Sequence, residues 1–395
     1  MILKQIDFNP KFNLLIIVQK NIYILVVLIL LGNLSTIQSQ SFFSKFKDSV
    51  DGALDVSYFL KDLHGVLPII SPITEPAVGY GGVGALLYFI TKKPKEGTDK
   101  VPIPDIAGAG GGLTQNGTWF AGLGYLGFWK DDKIRYRGVV GYGDINLKYY
   151  RSLSFLPKEI SAEFGLKSAF LLQQVKFRLG DSDFFLGGKY TFGKTNVQFP
   201  KIFDFPEIDP LVKEFTNSGI SVIGEFENYK NVFSPNNGMR IHLDYLQNFE
   251  FLGSDRDWGK VTFSSVFYFP VNHFWTPAIR VESILATGDT PFYQKPFVAL
   301  RGVPAMRYQG DLTILAETEQ SFNINSSRWD LVGFGGVGTA FRSIEKMEAG
   351  DLAWSVGGGF RYMLARLFGL KMGIDVARGP EDWAFYVVFG SAWLR

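Results

Sequence analysis

From residue 77 onward the chain repeats one pattern: stretches of about ten to fifteen residues rich in Gly, Phe, Tyr and Val, each closed by a cluster of turn residues. The last stretch is the plainest. Trp383, Phe385, Val387 and Phe389 recur at a period of two, and Trp393 continues that face beyond the polar break at Ser391. Ala384, Tyr386, Val388, Gly390 and Ala392 form the other face. A β-strand has just these two faces. The arrangement predicts a bulky face toward lipid and a smaller face toward a crowded interior. No segment past the first forty residues has the roughly twenty unbroken apolar residues that a membrane helix needs. Only helices and closed barrels satisfy every backbone polar group in lipid. The reading is therefore all-β: a transmembrane antiparallel β-barrel.

The turn residues cut this region into strands near 77–91, 104–115, 117–130, 133–150, 162–178, 183–197, 217–229, 238–250, 258–270, 273–287, 312–324, 329–342, 352–364, 368–378 and 383–394. Asn116-Gly117, Asp131-Asp132, Asp181-Ser182-Asp183 and Asn236-Asn237-Gly238 are hairpin signals. The spacing suits tilted strands with about 9–11 residues in the membrane. Fifteen strands are read here, and bacterial barrels have an even number. The missing strand is expected between residues 133 and 215.

Composition agrees. Aromatic residues make up 16% of the chain, Gly numbers 44, and only 20% of residues are charged, as lipid-facing girdles and tight turns require. A formal net charge of +2 gives no basic surface for nucleic acid, and none is expected as a partner. The chain has no Cys, which removes disulfides and thiolate metal sites but not an oxidising compartment. At the N-terminus Lys4, Lys11 and Lys20 precede an apolar run from Ile22 to Leu31, and small and polar residues follow from Ser35 to Gln40. That order is a secretory signal. The expected organisation is a signal peptide over 1–39, cleaved on export, a short periplasmic segment over 40–75, and the barrel over 76–395.

Several motifs carry a family resemblance. Leu300-Arg301-Gly302-Val303-Pro304 resembles the Arg-Gly motif on a long inward-folded loop. Phe233-Ser234-Pro235-Asn236-Asn237-Gly238 resembles a Phe-Pro-x-x-Gly periplasmic turn with one residue inserted, and Gly253-Ser254-Asp255 follows at the next loop. Glu319 lies where a strand carboxylate is placed, and Phe385 to Trp393, with Gly390 in register, resembles a nine-residue C-terminal assembly signal. Together, and most strongly over 217–395, these resemble the BamA/TamA-like outer-membrane assembly superfamily, whose barrel is also called the bacterial surface antigen domain. The resemblance implies a 16-stranded barrel with a lumen-folded loop. It also implies an outer-membrane location among lipid and lipopolysaccharide, and insertion by the barrel-assembly machinery through Phe385, Phe389, Gly390 and Trp393. Two departures stand out. About thirty-five residues between the signal and the first strand leave no room for a POTRA module, and Gly336 replaces the Asp of a Phe-x-Asp-x-Gly strand motif.

The resemblance also points Arg301 and Gly302 into the lumen. Arginine prefers bidentate carboxylate partners. Glu317 and Glu319 share one strand face, and Asp375 is a second-line partner. Two readings stand: a latch governing pore closure, or an ion pair that merely folds the loop. Other motifs are ordinary. Gly79-Tyr80-Gly81-Gly82-Val83-Gly84 and Gly333-Phe334-Gly335-Gly336-Val337-Gly338 fit a dinucleotide fingerprint, but no helix follows either. His64, His242 and His273 lack metal-ligand spacing, so neither metal nor cofactor is expected. The functional expectation is a pore or a membrane-biogenesis or transport component, not an enzyme. The alternatives are a plugged structural barrel or, from another class, an outer-membrane lipase-type enzyme.

Overall fold

A computed structural model describes residues 46–58, 66–75, 77–92, 102–151, 160–198, 212–229, 231, 233–343 and 348–393. The expected signal peptide, 1–39, lies outside them. Residues 46–58 belong to a separate small unit, in which Lys47 and Leu54 form an isolated bridge and Asp48 and Asp51 close Asx turns.

The strands are β1 Val66–Ile73, β2 Gly81–Ile90, β3 Asp105–Thr114, β4 Trp119–Trp129, β5 Ile134–Arg151, β6 Ile160–Arg178, β7 Phe184–Gln198, β8 Val212–Glu227, β9 Gly238–Asn248, β10 Trp258–Tyr268, β11 Trp275–Gly288, β12 Leu312–Asn323, β13 Trp329–Ser343, β14 Glu348–Ala349, β15 Ala353–Ala365, β16 Leu370–Arg378 and β17 Trp383–Phe389. Each pairs antiparallel with the next, except that β13 pairs with both the two-residue β14 and β15. The result is a nearly closed barrel of 16 strands. Exposed Leu123, Val140, Ile220, Leu331 and Ile374 belong to its outer belt. Trp119 and Trp383 open their strands at one rim, and Trp129 and Trp329 lie at the other, where Trp129 stacks on Tyr136 at 5.3 Å. The first rim carries the β11–β12 loop and is the loop rim. The second carries the C-terminus and is the tail rim.

All fifteen expected strands are present, but the sixteenth is not between 133 and 215. It is β1, so the ladder begins at Val66 rather than at residue 76. Pro68 and Pro72 hide it in the sequence, because proline lacks the N–H that a central strand must donate. They share one parity, so both missing donors face the same edge. The β1–β2 register is unbroken over all eight residues, which places those donors on the free edge, toward β17. Among the described residues no ladder pair joins β17 to β1. Instead the Thr74 hydroxyl donates to Phe385 O and accepts from Phe385 N at 3.1 Å. Thr74→Val should therefore cost about 1–1.5 kcal/mol and speed amide exchange along β17. Unchanged exchange there would show that the hydroxyl does not hold the seam.

Small faces meet the interior as expected: Ala384 and Ala377 are buried, while Trp383 and Phe385 are exposed. Trp393 departs from the pattern. The strand stops at Phe389, and Gly390, at φ 74, turns the chain inward. Trp393 is buried against Val266, Tyr268 and Ala278 inside the barrel, not on the lipid face. The alternation fails there because a left-handed glycine ends the period of two. The β8–β9 turn crosses the same mouth. Phe233 O accepts from Ser391 N at 3.1 Å, Ser234 Oγ accepts from Lys371 N at 2.9 Å, and Asn231 Nδ2 donates to Gly369 O at 3.0 Å.

Candidate functional site

The β11–β12 connection, residues 289–311, folds into the lumen. Val298, Leu300, Val303 and Tyr308 are buried in a cluster with Leu315, Ala340 and Ala353 of the wall. On the far side Met306 packs with Phe164, Val197 and Phe215, and Phe292 meets Phe164 edge-on at 5.4 Å. These apolar anchors hold the loop, and a Phe297–Gln309 bridge folds it back on itself.

Arg301 lies at the centre. Its Nε donates to Glu317 Oε1 at 2.8 Å, with Nη2 in ion-pair contact at 2.8 Å. Nη1 donates to Glu319 Oε2 and to Asp375 Oδ2, each at 2.8 Å. The guanidinium lies 3.5 Å over the Phe334 ring, a cation–π contact. Glu317 and Asp375 are 1% and 0% exposed. Each has a second cation: Arg280 Nη1 reaches Glu317 at 3.2 Å, and Arg361 grips Asp375 at 2.5 and 3.0 Å. Arg280 also pairs with Glu282 at 3.0 Å. From the tail rim, Trp393 Nε1 donates to Glu317 Oε2 at 2.7 Å. Four carboxylates and three guanidiniums thus share one desolvated network, in which each charge depends on its partners.

The backbone is held as firmly. Gly302, at φ 82, donates its N–H to Tyr386 Oη at 2.8 Å, and a Cβ there would meet Gly379 N at 3.0 Å. Ser355 Oγ donates to Arg301 O at 2.5 Å. Arg307 and Tyr308 both reach Glu381, at 2.9 and 2.8 Å. Gly336 has a local reason: a Cβ there would lie 2.8 Å from Leu300 Cδ2 and 3.1 Å from Glu317 Cγ. The loop occupies the space that an aspartate would need.

The structure thus brings Arg301, Gly302, Glu317, Glu319 and Asp375 together. Phe385 and Phe389 remain on β17, and Gly390 is the turn that sends Trp393 inward. Sequence reasoning missed Phe334, Arg280, Arg361 and Trp393 as members of the network. The signal available was a charge alternating with small residues along strands, as in Arg280-x-Glu282. His242 accompanies no metal cluster among the described residues. Its Nδ1 lies 2.9 Å from Glu225, which also takes Lys176 and Arg240, while Asp244 pairs with Lys189.

Glu75, between β1 and β2, ties the seam to the loop by accepting the Ala305 N–H at 3.1 Å. Burial pushes its carboxyl above the ordinary 4.5, against the lowering effect of the Ala305 and Ala77 amides. A raised folded value means that the folded state binds the proton more tightly. Its stabilising contribution is full below pH 4.5 and is lost as pH rises through the higher folded value. Glu75→Gln should abolish that part of the pH dependence and gain on the wild type as pH rises toward neutrality. Urea midpoints measured for both proteins from acid to neutral pH test this, and parallel curves would refute it.

Solved structures share this fold. The chain matches BamA from Haemophilus ducreyi lacking POTRA domains 1–3 with a TM-score of 0.56 and 12% identity, over 82% of this chain and 70% of that one. It matches CdiB from Escherichia coli at a TM-score of 0.52 and 10% identity, over 82% of this chain and 61% of that one. CdiB from Acinetobacter baumannii follows at 0.51 and 11%, with 82% and 59% covered. The chain thus spans less than two thirds of either CdiB. No protein-family model matches the sequence, and no curated protein is detectably similar to it. The fold is a 16-stranded barrel similar to that of BamA, with an inward, ion-paired loop.

Proposed function

We propose that this chain is an outer-membrane transport or membrane-biogenesis barrel whose lumen is closed at rest by its β11–β12 loop. The exposed apolar belt and the two aromatic rims support a membrane location, and the basic and apolar N-terminal run supports export by a signal peptide. In this reading the tail rim faces the periplasm, and the loop rim lies among lipopolysaccharide. Phe385, Phe389, Gly390 and Trp393 serve the barrel-assembly machinery before the barrel closes.

The observation that carries the reading is Arg301 held at 2.8 Å by three wall carboxylates. An ion-paired loop has two discrete arrangements, docked and released, which is what a gate needs. The apolar packing of the same loop favours a second reading, a permanently plugged structural barrel. Conductance in planar bilayers separates them. A gated pore should be nearly silent as wild type and conduct as Arg301→Ala. Silence of both proteins, with the variant folded, would establish the plug.

A further inference from the structure

The lumen wall has two unlike halves. From β10 to β16 it carries Glu282, Glu317, Glu319, Arg361 and Asp375. Over β2 to β4 and the part of β5 and β6 nearer the loop rim it is largely apolar. Ladder registers place Leu87, Ile106, Leu126, Val139, Leu166 and Phe170 on the inner face, with Gly108, Gly110, Gly122 and Gly124 between them. The lipid-facing neighbours Leu123 and Val140 are exposed on the opposite side. Glycines carry no side chain, so the inner wall is hollowed where they align. The hollow is a cavity of about 590 Å³, roofed at the loop rim by Tyr293 and Gln294.

A barrel lumen is ordinarily polar, and an apolar wall left against water is unfavourable in proportion to its area. One charge lines this hollow. Arg137, toward the tail rim, is exposed to it and, among the described residues, has neither a carboxylate partner nor a hydrogen bond. The charge that acts on it is the like charge of Arg240. By contrast, Arg135 has Asp132 and Glu227, Arg178 has Asp132, and Arg240 has Glu225. The volume falls in the roughly 300–1,000 Å³ range of small-molecule sites, and such sites combine an apolar lining with few polar groups.

We infer that this hollow binds one long-chain fatty acid, with its carboxylate on Arg137 and its chain laid over the glycines toward Tyr293. An unpaired guanidinium offers a bidentate seat to a carboxylate, and the apolar wall takes the chain. The site shares no residue with the Arg301 network, but its roof, Tyr293 and Gln294, belongs to the same β11–β12 loop, so the test is made on proteins that keep Arg301.

The test uses the full chain in phospholipid nanodiscs with a diazirine analogue of palmitic acid, and cross-links are mapped by mass spectrometry. Leu126, Val139 and Phe170 should be labelled, and unlabelled palmitate should compete. Gly124→Leu fills the hollow. A Cβ at Gly124 meets nothing nearer than 3.8 Å, so the variant should fold, as its heat-modifiable gel migration will show. Its labelling should fall about tenfold, the equivalent of 1.4 kcal/mol. Val139→Phe fills the same space from the next strand and carries the same expectation if Gly124→Leu fails to insert. Arg137→Gln should weaken labelling by the acid, also about tenfold, yet leave labelling by its methyl ester unchanged. Labelling confined to Leu123 and Val140, or equal in the filled variants, would mean bulk lipid contact only and overturn the proposal. So would uptake of a two-chain phospholipid analogue in preference to the free acid.

Discussion

Arg301→Ala is expected to destabilise the folded barrel by about 3–5 kcal/mol, the cost of leaving buried charges without their partner. The full figure applies because the acceptors are dry: Glu317 is 1% exposed, Asp375 0% and Glu319 14%. Arg280 still serves Glu317 and Arg361 still serves Asp375 in the variant, but four carboxylates then face two guanidiniums. Arg301→Lys should recover little, since one ammonium cannot span three carboxylates in the fork geometry of a guanidinium. The loop should loosen with the latch, so protease cleavage at Arg307 should rise. Glu319→Gln should show the same effects more weakly. The double variant Arg301→Ala/Glu319→Gln should fall short of additivity, with a coupling of about 0.5–3 kcal/mol. Chemical unfolding in detergent gives the energies, and limited proteolysis reports the loop. A loss under about 1 kcal/mol, or full additivity, would remove Arg301 as the latch.

Trp393→Ala is expected to cost a further large amount, about 3–5 kcal/mol for a buried tryptophan truncated to a methyl group. Its ring fills the space between Val266, Tyr268 and Ala278, and its indole N–H is bonded to Glu317. Trp393→Phe separates the two contributions. It keeps most of the apolar contact and loses the bond to a charged acceptor, at about 1.5–3 kcal/mol. Both variants should unfold faster than wild type if the contacts form late in folding. The assembly-signal role makes a different demand: slower insertion, with the unfolding rate of the inserted barrel untouched. Unfolding and insertion rates measured on the same three proteins therefore assign the residue to the folded network, to assembly, or to both. Unchanged unfolding of Trp393→Ala would exclude it from the network.

The charged network was partly visible in the linear chain. Glu317 and Glu319 share a parity on β12, and Arg301-Gly302 marks a tight turn on the loop before it. What the chain order concealed is convergence. Asp375 and Arg361 arrive from β16 and β15, Arg280 from β11, and Trp393 from beyond β17. No periodicity within one strand reports which inner positions of other strands stand at the same depth. That depends on the stagger of every ladder between them. The apolar hollow was hidden for the same reason, since glycines on β3 and β4 become one surface only when their registers align.

The sequence by itself determined the class of fold, because a period of two, no stretch past the first forty residues long and apolar enough for a membrane helix, and turn residues at strand spacing leave a closed barrel as the way to satisfy the backbone in lipid. It also determined which face of the last strand is bulky. The tertiary structure alone decided where the barrel begins and how it ends. Pro68 and Pro72 argue against a strand until β1 is seen to occupy the seam, where their missing donors face the free edge. Trp393 belongs to the lipid face by alternation until Gly390 turns it into the lumen and gives its indole a carboxylate. Both outcomes depend on partners distant in the chain, and only closure of the sheet brings those partners within reach.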